Sequence, residues 1–235
     1  MEKVLFAALA VGGATVLGAV IGYIFGNACL RVQRYLMAFA AGVMLEASTV
    51  GLLCSALGDG GLGSALTVGA GVLIGAVLIL LLGRITAKLC KGRKRGDELS
   101  RTLLFVMAIA LHNIPEGLAA GVGFGAGGGG EGITVSLAIA LQNLPEGMAV
   151  VGPMLAVGIK PKRAFVYAAL TGVIETVCTL LGFLMTSVAA LPLLLSVAAG
   201  TMIAVTAGEM IPEGDGATLS LSLGVAVMLI IGGLF

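Results

Sequence analysis

Two segments of the chain are near copies, 30 positions apart: MAIALHNIPEG at Met107–Gly117 and LAIALQNLPEG at Leu137–Gly147. In the first, His112 and Glu116 stand four residues apart, a spacing that stacks imidazole and carboxylate on one helix face. In the second, Gln142 and Glu146 repeat that geometry with an amide in place of the imidazole. Asn113 and Asn143 lie three residues before the glutamates and can border the same cleft. Pro115 and Pro145 have no N–H and disrupt the bonds to the Leu111 and Leu141 carbonyls. Gly117 and Gly147 permit close backbone approach. One imidazole, several carboxylates and several amide oxygens make a ligand set that suits a divalent metal ion.

The elements that carry these residues must cross a membrane. Of the 235 residues, 59% are hydrophobic and 11% charged, and the mean hydropathy is +1.14. A soluble domain of this size needs more polar surface. The apolar residues come in blocks of about 20, the length a helix needs to cross hydrocarbon. Strand-like alternation is absent, so a β-barrel fits poorly. We read a single transmembrane domain over 1–235, with spans at about 4–26, 35–57, 62–83, 102–123, 133–157, 164–190, 193–212 and 216–234. Leu191–Pro192 is the natural break in the long apolar stretch 164–212. The run after Met1-Glu2-Lys3 is too long for a signal peptide's apolar core and is read as the first span.

Basic residues set the expected orientation. Arg31 and Arg34 lie between spans one and two, and Lys160, Lys162 and Arg163 between spans five and six. A basic loop at 84–101 joins spans three and four and contains KGRKRG at 91–96. All three connections fall on one side, which the positive-inside rule makes cytoplasmic, so both termini lie outside, across an inner membrane. The net charge of +1 argues against nucleic acid. Gly125 to Gly130 lacks the Lys and Ser/Thr of a phosphate loop and reads as a flexible external connection. Cys29, Cys54, Cys90 and Cys178 form no C-x-x-C pair and read as small hydrophobes.

Consecutive spans run antiparallel, so like motifs on spans four and five can meet at the bilayer centre across a pseudo-two-fold axis. A weaker echo joins spans two and seven: Phe39–Leu45, FAAGVML, and Val197–Ile203, VAAGTMI. Together the repeats suggest an all-α, 3+2+3 inverted-repeat plan. Glu46, Glu116, Glu146, Glu175 and Glu209 all fall within spans, and no Lys or Arg lies deep in any span. Carboxylates so placed must be protonated or neutralised by a cation.

With HNIPEG at 112–117 and QNLPEG at 142–147 on the fourth and fifth of eight spans, the chain resembles the ZIP (Zrt/Irt-like) family of metal transporters, most of all its prokaryotic GufA-like branch. The resemblance implies a 3+2+3 helical fold and a mid-membrane metal site. His112, Asn113 and Glu116 would be ligands from span four, and Gln142, Asn143 and Glu146 from span five. It adds Glu175 on span six as a second-metal ligand and Met44 on span two at the outer edge. It implies net movement into the cytoplasm. Many relatives carry a second His where this chain has Gln142, and a His-rich connection where this chain has its basic loop. An amide oxygen is a harder, weaker ligand than imidazole, so the second metal position is expected to be weaker or differently selective.

The expected function is therefore transport of divalent transition metals, zinc first, with cadmium, iron(II) and manganese(II) behind, one or two ions bound, by alternating access. The rivals are a selective metal channel through the same ligands and, further off, an intramembrane metalloenzyme. No resident cofactor is expected. The partners are the metal ions and the lipid bilayer, and a homodimer is left open. Glu46, and Glu209 with Glu213 near the end of span seven, carry no assigned role.

Overall fold

Long apolar runs with few internal breakers fold here as helices. The structure, a computed structural model, describes residues 2–25, 27–58, 60–90, 110, 113–124, 130–156, 159–185, 191–211 and 214–233. Eight helical segments follow in order among the described residues. They are α1 (Glu2–Phe25), α2 (Asn27–Glu46), α3 (Leu62–Cys90), α4 (113–124), α5 (Gly130–Ala156), α6 (Pro161–Met185), α7 (Leu191–Val205) and α8 (Asp215–Gly232). No strand occurs among these residues. Among the described residues six helices are long and apolar enough to cross a membrane, and Pro192–Gly208 is a shorter apolar one. The protein is an all-α polytopic membrane protein. Large side chains such as Leu66 and Leu73 on α3 and Leu219 and Ile230 on α8 are exposed, a surface suited to hydrocarbon rather than water.

Leu191–Pro192, expected to break the chain, opens α7; proline in a first turn forgoes a hydrogen bond that would be missing anyway. Helix α3 continues to Cys90, past the expected end at 83, because Arg84 and Lys88 are good helix formers and polar enough to leave the hydrocarbon. Helices α2 and α7 each run on into a wider π-helical stretch, Ala47–Cys54 and Thr206–Met210. Hydroxyls drive that widening by competing for carbonyls: Thr49 Oγ1 donates to Leu45 O at 2.6 Å, and Thr206 Oγ1 to Met202 O at 2.8 Å.

The helices pack as two groups of four. Within the first group, α1, α4, α5 and α6, glycines press backbone against backbone. A Cβ at Gly12 would lie 2.2 Å from the Gly172 carbonyl oxygen, and one at Gly172 would lie 2.4 Å from that of Gly12. A Cβ at Gly147 would meet the Thr15 carbonyl oxygen at 2.2 Å, and one at Gly117 the Glu175 carbonyl oxygen at 2.5 Å. In the second group, α2, α3, α7 and α8, Gly224 stands likewise against the Phe39 oxygen at 2.1 Å and Gly75 against that of Val197 at 2.2 Å. Lipid offers no hydrophobic drive for helices to associate, so such close small-residue packing is what holds them.

These contacts repeat. Exchanging α1 with α6, α2 with α7, α3 with α8 and α4 with α5 turns the Gly147–Thr15 contact into Gly117–Glu175, and Gly224–Phe39 into Gly75–Val197. A 3+2+3 repeat would generate such a pattern. Between the two groups the contacts are of another kind. Met44 and Leu52 of α2 and Met202 and Val205 of α7 cluster with Ala119 and Ala120 of α4 and Val135 and Ile139 of α5. This seam is apolar.

Candidate metal site

The described residues of the repeat motifs, 110 and 113–117 of the first and 137–147 of the second, include the C-terminal half of the first motif and the whole of the second. Helix α5 carries Gln142, Asn143 and Glu146, and α4 carries Asn113 and Glu116; all five are buried. Pro145 leaves the Leu141 carbonyl without its usual intrahelical donor, and Gly147 lets α1 approach along the same turn.

The side chains form two linked pairs. Gln142 Nε2 donates to Glu116 Oε1 at 2.6 Å, which ties α5 to α4. Asn143 Nδ2 donates to Glu175 Oε1 and also to the Val11 carbonyl at 3.1 Å, which ties α5 to α6 and α1. Thr15 Oγ1 donates to the other Glu175 oxygen, Oε2, at 2.9 Å. Adjacent residues of α5 thus hold the carboxylates of Glu116 and Glu175, and a positive ion among them would favour both in their charged form. The amide oxygens Gln142 Oε1 and Asn143 Oδ1 are buried and accept no hydrogen bond among the described residues. Buried carbonyl-type oxygens normally find a donor or a cation.

Of the residues singled out from the sequence, Glu116 and Gln142 are brought together, as are Asn143 and Glu175. Asn113 and Glu146 are buried on α4 and α5 and take part in further interactions. Met44 is 1% exposed and belongs to the apolar seam, alongside Ile139 of α5 and Met202 of α7. His112 lies outside the described residues, as do Glu213 and the Glu209 side chain. Among the described residues no three His, Cys, Asp or Glu side chains are grouped as a metal cage. What is described is the amide, hydroxyl and carboxylate part of the site.

Thr15 was missed by the reading of motifs. It lies in α1 with no charge and no nearby His or Glu, so nothing local marks it. A faint signal existed at longer range: Gly12 stands three residues before Thr15 on α1 as Gly172 stands three before Glu175 on α6, 160 positions on. Thr15 is the counterpart of Glu175 in that repeat and hydrogen-bonds to it.

Comparison with known proteins fits this arrangement. Residues 85–232 match the family described as ZIP Zinc transporter. The chain is 37% identical to zinc transporter GufA of Myxococcus xanthus over 66% of its own length and 64% of that protein's. It is 41% identical to zinc transporter ZIP11 of Xenopus tropicalis over 52% of its length and 39% of the relative's. It thus spans less than two thirds of either. With zinc transporter ZIPB of Bordetella bronchiseptica it shares 36% identity over 92% of its length and 76% of the relative's. These relatives are transporters rather than enzymes, which leaves the metalloenzyme rival without support. The chain belongs to the ZIP zinc transporter family.

Proposed function

We propose that this protein carries divalent transition-metal ions, zinc first and cadmium, iron(II) and manganese(II) behind it, across an inner membrane into the cytoplasm. The ion is held by His112, Asn113 and Glu116 of α4 and Gln142, Asn143 and Glu146 of α5, with Glu175 of α6 as a second-metal ligand and Met44 at the edge. The observation that carries this reading is the pair of orphaned buried amide oxygens, Gln142 Oε1 and Asn143 Oδ1, beside the carboxylates of Glu116 and Glu175. Each pair supplies one carboxylate and one amide oxygen, which supports two neighbouring ion positions. The basic connections support a topology with both termini outside, and the recurring glycine contacts support an inverted 3+2+3 repeat.

The two packing groups support alternating access. The residues of α4, α5 and α6 in this set all belong to one group joined by close glycine contacts, and its border with the other group is an apolar seam. A group that moves as a unit past such a seam carries its bound ion with it. Zinc uptake into liposomes containing the purified protein tests this reading. Uptake should saturate at low zinc and fall at least about a hundredfold in Glu116→Gln, since a lost first ligand removes most of the affinity. Wild-type uptake by both Glu116→Gln and His112→Ala would refute the site, and single-channel currents would select the channel instead.

A further inference from the structure

Glu46 is a mid-helix carboxylate that the transport site does not use. It is 6% exposed, and its carboxylate makes no hydrogen bond or ion pair among the described residues. It faces away from Met44, as two residues' separation on a helix requires. Met44 enters the seam with α7, whereas Glu46 lines a cavity of about 550 Å3 between α2, the start of α5 and the end of α8. Thr134, Ser55 and Cys54 add polar atoms to its wall, and Gly232 keeps the far side open. A Cβ at Gly232 would come no nearer than 4.0 Å to Glu46 Oε1.

The cavity also stands in line with the transport site. Val135 forms part of its wall, and Val135, Ile139, Gln142 and Glu146 share one face of α5. Seven residues of helix put Gln142 about 10 Å further along. Ile139 lies between them, fully buried. A chamber with an unpartnered carboxylate therefore sits one apolar plug away from the site that holds the cargo. A single carboxylate with hydroxyl oxygens, in a space that accommodates several waters, suits a divalent cation that keeps part of its hydration shell.

We propose that Glu46 and this cavity form a second cation site, at which a partly hydrated divalent cation waits before it passes to α4 and α5. The placement rests on the transport reading above: with the termini outside, this end of α2, α5 and α8 faces the external solution.

Two measurements on the full chain test it: zinc uptake by proteoliposomes over a range of external zinc, and zinc stoichiometry of the purified protein by equilibrium dialysis. Glu46→Gln should raise the external KM for zinc about tenfold with the maximal rate within about twofold, as expected when only initial binding is lost. Gly232→Leu, which fills the chamber from the opposite wall, should do the same, and it carries the test if Glu46→Gln fails to fold. Glu46→Gln should lose one weakly bound zinc, whereas Glu116→Gln should keep that zinc and lose a tighter one. Wild-type KM and wild-type stoichiometry in the folded variants would overturn the second site while leaving transport intact. Should the wild type move no zinc, the transport reading fails. The cation site then stands if the double variant with Glu46→Gln binds less zinc than Glu116→Gln alone, and falls if both bind equally.

Discussion

Gln142 of α5 donates its amide hydrogen to Glu116 of α4 at 2.6 Å, so the position where the two repeats differ chemically, His112 against Gln142, is also a position that joins them. The amide leaves its oxygen available while its nitrogen holds the carboxylate in place. An imidazole at 142 would offer a softer donor to the ion.

Selectivity should therefore respond to this side chain. Gln142→His is expected to favour zinc over manganese(II) by about tenfold relative to the present protein, because imidazole suits zinc better than it suits manganese. Competition uptake with the two metals measures the ratio. An unchanged ratio would place Gln142 outside the coordination sphere.

Thr15 and Glu175 form a buried hydrogen bond between α1 and α6 at 2.9 Å. Thr15→Val keeps the shape and removes the donor. The loss should destabilise the protein by about 1–3 kcal/mol, the cost of leaving a buried polar group short of a partner. Thr15→Ser should stay near wild type. Thermal unfolding in detergent reads the difference.

Close packing by glycine gives a paired prediction. Gly147→Ala drives a Cβ to 2.2 Å from the Thr15 carbonyl oxygen and should cost about 1–3 kcal/mol or more through forced backbone shifts. Gly13→Ala, one residue from a crowded position, meets nothing within 4 Å and should be neutral or slightly stabilising. Equal unfolding temperatures for the two variants would contradict the packing.

Cross-links distinguish a moving group from a fixed one. With native Cys54 replaced, cysteines at Gly51 and Val135 join α2 to α5 across the seam, where a Cβ at Gly51 would already lie 3.3 Å from Val135. Oxidation should stop uptake and reduction restore it. Cysteines at Ala8 and Thr176 join α1 to α6 inside one group, where Thr176 already bonds to the Ala8 carbonyl at 3.1 Å. That link should leave uptake largely intact. Transport that survives the first link would rule out sliding along the seam.

Helical class and the motif-bearing helices could be read from residue types, because apolar length and i, i+4 spacing depend on local sequence. The partnerships could not. That Asn143 reaches Glu175 rather than Glu146, and that Thr15 completes the Glu175 carboxylate, depends on how α1 and α6 lie on α5. Glycines fix that packing, and they carry no side chain to advertise it. The π-helical stretches were invisible for a similar reason: Thr49 and Thr206 widen their helices only through the carbonyls they reach. Glu46 was legible as a carboxylate within a span with no assigned role, but its cavity exists only once α5 and α8 close around it.

Anomalous diffraction at the zinc edge, from crystals of the protein grown with zinc, bears most directly on the transport site. We expect a peak between α4 and α5, with Glu116 and Glu146 oxygens and a His112 nitrogen about 2.0–2.2 Å away. Zinc peaks elsewhere, with none between those two helices, would contradict the assignment.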